Sequence, residues 1–225
     1  MGTLYLVRHG QASFGADDYD QLSPLGQRQS ERLGAWFAAR GLRVDAVLTG
    51  TLRRHEQTWA ALAEGARWGD AAPAPQRHAA LDEYDSHALI RAVAPQPLTD
   101  ARTPEGYRQH FRLLRDALAQ WMAGVIDPEG MPSWDRFAHG VRSVLEQVRR
   151  SQDGHVLIVS SGGPIATAAA QVLGAPAETA IELNMRLRNS ALSEFTFNAR
   201  HIRLLTWNTL PHLDDPACAE WVTYA

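Results

Sequence analysis

Lysine is absent from all 225 residues, so each of the 22 fixed side-chain cations is an arginine. A pyridoxal Schiff base, a P-loop lysine and a kinase-type lysine are therefore excluded, whether or not the bias is only compositional drift. Cysteine is nearly absent too. Lone Cys218 leaves no intramolecular disulfide and no multi-cysteine zinc or iron–sulfur set. No apolar run approaches the ~20 residues of a membrane helix, and the start, MGTLYLVRHG, lacks both the basic and the long apolar region of a secretion signal. The chain is expected to be cytoplasmic, with no membrane partner. A net charge of -3, with dispersed arginines, offers no basic field for nucleic acid. Internal repeats and low-complexity tails are lacking as well.

What is present reads as a single domain over residues 1–225. The 45% hydrophobic content is globular, and a chain of this length buries roughly three quarters of its unfolded surface. TLYLVR, residues 3–8, is the short apolar run of a buried parallel strand, and Gly10 marks the turn after it. Ser23, Pro24 and Leu25 open a helix that runs to about Arg40, with Gly41 closing it. A strand over Val44 to Thr49 and a helix marked by Leu52, Thr58, Trp59 and Leu62 complete a β-α-β-α opening. The region from about 66 to 135 begins with Pro/Ala-rich segments around a short helix at His87 to Val93, and reads as a cap or insertion. Helices follow at about Pro104 to Val125 and Ser133 to Arg150. HVLIVSS is then a buried strand, and GGPIATAAAQVLG a helix that opens on glycine and proline. SALSEFTFN and RHIRLLTWN alternate as an antiparallel edge pair would. The expected fold is a three-layer α/β/α sandwich with a mostly parallel sheet, an antiparallel edge strand and a helical cap insertion.

In such a fold, ligands collect at the carboxyl ends of the strands. LVRHGQAS, GTLRRHEQT and VSSGGP converge on that edge with arginines, histidines, hydroxyls and backbone N–H groups, which together suit a dianion. Candidate contacts are Arg8, His9, Gly10, Gln11, Ser13, an arginine of the Arg53–Arg54 pair, Ser161 and Gly162. Simpler readings stay open beside these: His9 as a buried histidine satisfied by backbone, Arg54 as a solvated helix residue, and Ser161 with Gly162 as a helix cap. Trp68, Tyr84, Tyr107 and Trp134 are either mouth or core residues.

LVRHGQAS, LSPLGQRQSERLG, GTLRRHEQT and LDEYD occur in an order that resembles the histidine phosphatase superfamily, also called phosphoglycerate mutase-like, over nearly the whole chain. The resemblance implies that His9 becomes phosphorylated, that Arg8 and Arg54, not Arg53, clamp the phosphoryl group, and that Glu83 is the acid. An acidic loop shared with Asp82 and Asp85 is the alternative for Glu83. Neutral imidazole can attack phosphorus near pH 7, and a carboxyl raised by burial can protonate the leaving oxygen. The implied substrate is a phosphorylated small molecule, with no metal or organic cofactor; the oligomeric state is left open.

Two positions depart from the pattern. Ser161 stands where the family places a second histidine, and Gly15 where it places an asparagine. Losing one charged donor costs about 10²–10³ in rate. Compensation could come from Ser161 with the N–H groups of Gly162 and Gly163, or from His55 or His87. Three functions follow: a phosphomonoesterase acting through phosphohistidine; a catalytically weak or inactive phosphate-binding regulatory protein; and, with less support from QASFGADDYDQ, a phosphoglycerate mutase.

Overall fold

The structure is a computed structural model that describes residues 1–13, 20–94 and 103–224. Its six-stranded sheet is built from β1 (Gly2–Arg8), β2 (Ala46–Thr49), β3 (Gln76–Arg77), β4 (His155–Ser160), β5 (Leu192–Phe197) and β6 (Ile202–Thr209). The spatial order is β3-β2-β4-β1-β5-β6. The first four are parallel; β5 runs antiparallel to β1, and β6 antiparallel to β5. Successive side chains on a strand point to opposite faces, so β1 and β4 each feed two cores. Leu4, Leu6, Val156 and Ile158 pack into one, and Tyr5, Val7, Leu157 and Val159 into the other. Both faces are covered, as a parallel sheet requires.

The second core is closed by α1 (Pro24–Ala39) and α2 (Arg53–Gly65), which supply Leu33, Phe37, Trp59 and Leu62. Ser23 caps α1 by accepting from the Gly26 N–H at 3.0 Å, and Pro24 sits where its missing N–H costs nothing. The two helices cross through glycine. A Cβ on Gly34 would lie 2.0 Å from the Leu62 carbonyl oxygen, and one on Gly65 1.9 Å from that of Glu31.

The first core is covered by α3 (Ser86–Val93), α4 (Pro104–Met122), α5 (Trp134–Ser151), α6 (Gly162–Leu173) and α7 (Thr179–Arg186). Helix α6 is apolar on all sides and buried from Gly162 to Ala170, and it ends at Gly174 in the left-handed conformation, φ +64°. The sequence did not disclose α7 or β3. The first is eight residues without a side-chain cap, and the second is two exposed residues that extend the sheet from within the expected cap region. Trp68 packs with Phe37 and Trp59, and Trp134 with Trp121 and Phe137, so both serve the core. Among the described residues, no helix is long and apolar enough to cross a membrane.

Candidate active site

The sheet register brings the site together. Arg8 pairs with Ser160, and Val159 with Thr49, so the segments after β1, β4 and β2 leave the sheet at one edge. His9 and Ser161 are the next residues on two adjacent strands. His9 is tied on both sides: its N–H donates to the Ser160 carbonyl at 2.9 Å, and its carbonyl accepts from the Ser190 N–H at 3.1 Å.

His9 is 3% exposed. Its Nδ1 lies 2.7 Å from the Gly10 carbonyl oxygen. A carbonyl only accepts, so Nδ1 carries the proton and Nε2 keeps the lone pair. Burial first, then the charges of Arg54, Arg8 and His55, hold the His9 pKa well below the usual histidine value. The imidazole is neutral at physiological pH. Gly10 lets the turn press on α1, since a Cβ there would lie 2.3 Å from the Gly26 carbonyl oxygen, and its N–H donates to Thr58 Oγ1 at 3.1 Å.

Both arginines are buried. Arg8 donates through Nη1 to the carbonyls of Leu187 and Tyr224, the latter at 2.7 Å. The C-terminal segment that brings Tyr224 here is held by Gln29 Nε2, which donates to the Trp221 carbonyl at 2.6 Å, and by the Asn189 N–H, which donates to the Thr223 carbonyl at 2.9 Å. Arg54 is 6% exposed, whereas Arg53 is exposed. Arg54 donates from Nη1 to Asp20 Oδ1 at 2.8 Å and from Nη2 to Ser161 Oγ at 3.4 Å. Asp20 also accepts from the Arg53 N–H at 2.9 Å, tying the start of α2 to the segment after β1.

The LDEYD segment divides its acids among three tasks. Asp82 accepts from the Thr51 N–H at 2.6 Å and from its hydroxyl, while Asp85 caps α3 through the N–H groups of His87 and Ala88. Glu83 turns to α6 and accepts from the Gly163 N–H at 3.0 Å. Burial pushes its carboxyl up despite the opposing pull of the Gly163 N–H, Arg54 and Arg8. The Gly163 N–H, expected to be open to an anion, is thus already bonded to Glu83. Beside it, Tyr84 accepts at 2.6 Å from Asn184 of α7.

Ser161 is fully buried and makes no side-chain cap bond. Its Oγ instead lies 2.7 Å from Nε2 of His55, whose ring centroid is 5.7 Å from that of His9. His87 is exposed on α3 against His110. Gln11 is bound to the start of α1: its N–H donates to Gln29 Oε1 at 2.8 Å, and its Oε1 accepts from Ser23. The Ser13 N–H donates to the Gln21 carbonyl at 2.9 Å, and Gly162 opens α6 against Asn184. Gly15 lies outside the described residues. Of the four aromatic mouth candidates, Tyr107 is the exposed one, at 40%. Asp20, Asn184 and the carbonyls of Leu187 and Tyr224 carried no sequence signal.

Several buried imidazoles make the fold acid-sensitive. Burial holds His55 and His212 down to about 3, and His9 moves the same way. Unfolded histidines bind protons below about pH 6.5, so acidification favours the unfolded chain by up to about 1.4 kcal/mol per pH unit for each such group. Glu83, raised in the fold, partly offsets this over its own range. The urea midpoint should fall steadily from pH 6.5 towards pH 4, and less steeply in His212→Gln. A flat midpoint across that window would contradict neutral buried imidazoles.

The comparisons with known proteins agree with this architecture. No curated protein sequence matches the chain closely enough to count as a relative. Among solved structures, the native mycobacterial glucosyl-3-phosphoglycerate phosphatase superposes with a TM-score of 0.63 at 23% identity, covering 93% of this chain and 99% of that one. A putative alpha-ribazole-5'-P phosphatase from Escherichia coli gives 0.66 at 19% identity, over 93% and 97%. The phosphoserine phosphatase from Entamoeba histolytica, solved as a mutant with phosphoserine, gives 0.64 at 20% identity, over 95% and 100%. These likenesses establish the shared fold. Residues 4–210, most of the chain and all six strands save the first two residues of β1, match the histidine phosphatase superfamily (branch 1), and the chain therefore belongs to that family of phosphatase and mutase-like hydrolases.

Proposed function

We infer that the protein is a phosphomonoesterase working through a phosphohistidine at His9 on a phosphorylated small molecule. The observation that carries this reading is a neutral imidazole with a free Nε2 lone pair, set where two guanidinium charges, Arg8 and Arg54, act on both it and Glu83. In the first half-reaction Nε2 attacks phosphorus, the P–O ester bond breaks, and the proton of Glu83 passes to the departing oxygen. In the second, the Glu83 carboxylate takes a proton from water, the oxygen attacks phosphorus, and the N–P bond returns its electrons to Nε2. Inorganic phosphate leaves and Glu83 is protonated again. Arg8 and Arg54 bind the equatorial oxygens, each charged bond contributing about 1.5–3 kcal/mol. Gly10, Gln11, Ser13, Ser161 and Gly162 line the phosphoryl group, with Gln11 acting chiefly by fixing the turn to α1. No metal or organic cofactor enters these steps.

The region from about 66 to 135 is the cap that selects the substrate, with Tyr107 at its mouth. The names of the neighbours, a glucosyl phosphoglycerate, a ribazole phosphate and a phosphoserine phosphatase, support a small phosphoester without choosing among them.

Ser161 favours a second reading, because a serine stands where the family places a histidine. The protein is then a phosphate binder of feeble activity. A broad phosphoester panel with parallel binding of inorganic phosphate separates the two. Turnover of any member at a rate abolished in His9→Asn supports the enzyme; binding without turnover supports the binder.

A further inference from the structure

Among the described residues, His55 is the one fully buried titratable side chain at the site to which the steps above give no task. It sits on the first turn of α2 at 0% exposure, with Nε2 2.7 Å from Ser161 Oγ. Its Nδ1 faces Asp82 Oδ1 at 3.7 Å and has no hydrogen-bond partner among the described residues. The place is shaped for these groups: a Cβ on Gly50 would lie 2.2 Å from His55 Nδ1 and 2.5 Å from Asp82 Oδ1. Asp82 is itself fixed by the N–H and hydroxyl of Thr51.

A neutral imidazole satisfies this arrangement only in part. If Ser161 donates to Nε2, the remaining N–H points at Asp82 beyond bonding distance, and the hydroxyl proton is turned away from the phosphoryl group. If Nε2 donates to Ser161, a bare Nδ1 faces a carboxylate. An unmade buried bond is a cost that an aliphatic side chain would avoid. The pattern closes when an anion arrives and His55 is charged. Ser161 Oγ–H then donates to an oxygen of the anion, Nε2–H donates to Ser161 Oγ, and Nδ1–H faces the Asp82 carboxylate.

We propose that Asp82, His55 and Ser161 form a relay in which Ser161 donates to the bound phosphoryl group and His55, a positioning residue, takes up one proton from the buffer as that group binds. The proton returns to solvent when phosphate leaves. The groups facing His55 set the balance. Arg54 on α2 opposes the charge, Asp82 in the loop before α3 favours it, the neutral ring of His9 lies beside it, and the incoming dianion tips the balance. In the resting protein burial and then Arg54 hold the ring neutral, with its pKa near 3. The relay rests on the phosphatase reading for the identity of the anion, but its proton balance is measurable without turnover.

Sulfate is the probe, because it stays dianionic across the working range. Calorimetric titration of the full chain with sulfate near pH 6.5, in buffers of different ionisation enthalpy, should show uptake approaching one proton per sulfate. That uptake should persist in His9→Asn and disappear in His55→Gln and Ser161→Ala. The ring nitrogens of ¹⁵N-labelled His55 in the unaltered chain should move to imidazolium positions on sulfate addition, a readout that needs no variant to fold. In turnover, His55→Gln and Ser161→Ala should each lower kcat about 10²-fold, and the double variant no further, as expected of two parts of one device. Uptake that follows His9, unmoved His55 signals, or additive losses would overturn the relay while leaving the phosphatase reading intact. His55-dependent uptake without turnover of any ester would uphold the relay and remove that reading. Absence of sulfate binding would overturn the relay, and the phosphatase reading would fall with it only if no ester is turned over.

Discussion

Replacing His9 with asparagine should lower turnover by about 10⁴-fold or more and abolish covalent labelling by substrate, the scale seen when a covalent nucleophile is removed. Asparagine preserves a side-chain donor towards the Gly10 carbonyl, which Nδ1 contacts at 2.7 Å, so the local turn is retained while the Nε2 lone pair is lost. Arg8 and Arg54 remain, so the variant should still bind inorganic phosphate, and binding should tighten or hold while catalysis disappears. Retained turnover within tenfold of the unaltered chain would mean that water or another side chain attacks phosphorus directly.

Glu83→Gln is expected to have the next largest effect, a loss of about 10²–10⁴-fold in kcat. The sign of its pH signature follows from the two half-reactions. Burial raises the carboxyl, keeping the acid form present at higher pH than an ordinary glutamate would. Phosphorylation of His9 needs that acid form, so kcat/KM should decline as pH rises through the Glu83 pKa. Hydrolysis of the phosphohistidine needs the carboxylate, so single-turnover dephosphorylation should decline as pH falls through the same value. Glutamine should remove both limbs. It still accepts a hydrogen bond from the Gly163 N–H, which keeps the α6 contact. An ester with a very acidic leaving group should be spared in the first half-reaction but not in the second. Equal pH limbs in Glu83→Gln and the unaltered chain would assign the proton transfers elsewhere.

Much of this site was legible in the sequence because its parts are local. A buried run ending at Arg8, a cap and proline at Ser23 and Pro24, and the apolar strand to Ser160 followed by Gly162 each carry their own signal. The edge pair β5 and β6 was visible as alternation. What stayed hidden depends on contacts distant in sequence. Helix α7 has neither length nor a capping bond to announce it, yet it delivers Asn184 to Tyr84, and Leu187 just beyond it supplies a carbonyl to Arg8. The segment after residue 210 lies beyond the stretch that matches the family, and only the folded chain brings Tyr224 to Arg8. In LDEYD the resemblance singles out Glu83 while the residues themselves leave an acidic loop open, and the partners that separate the three acids, Thr51, Gly163 and the start of α3, are distant in sequence or set by the fold. His55 was one of two compensating candidates because a histidine inside a helix has no local mark of its partner. The β1–β4 register and the position of α2 supply that partner, Ser161.

The central claim, covalent catalysis at His9, is tested most directly by rapid quenching of a phosphoester labelled with radioactive phosphorus, followed by peptide mapping. The account predicts a transient label that is stable to base, labile to acid and located on His9, absent from His9→Asn and longer-lived in Glu83→Gln. Turnover without any protein-bound label, or an acid-stable label on Ser161, would contradict it.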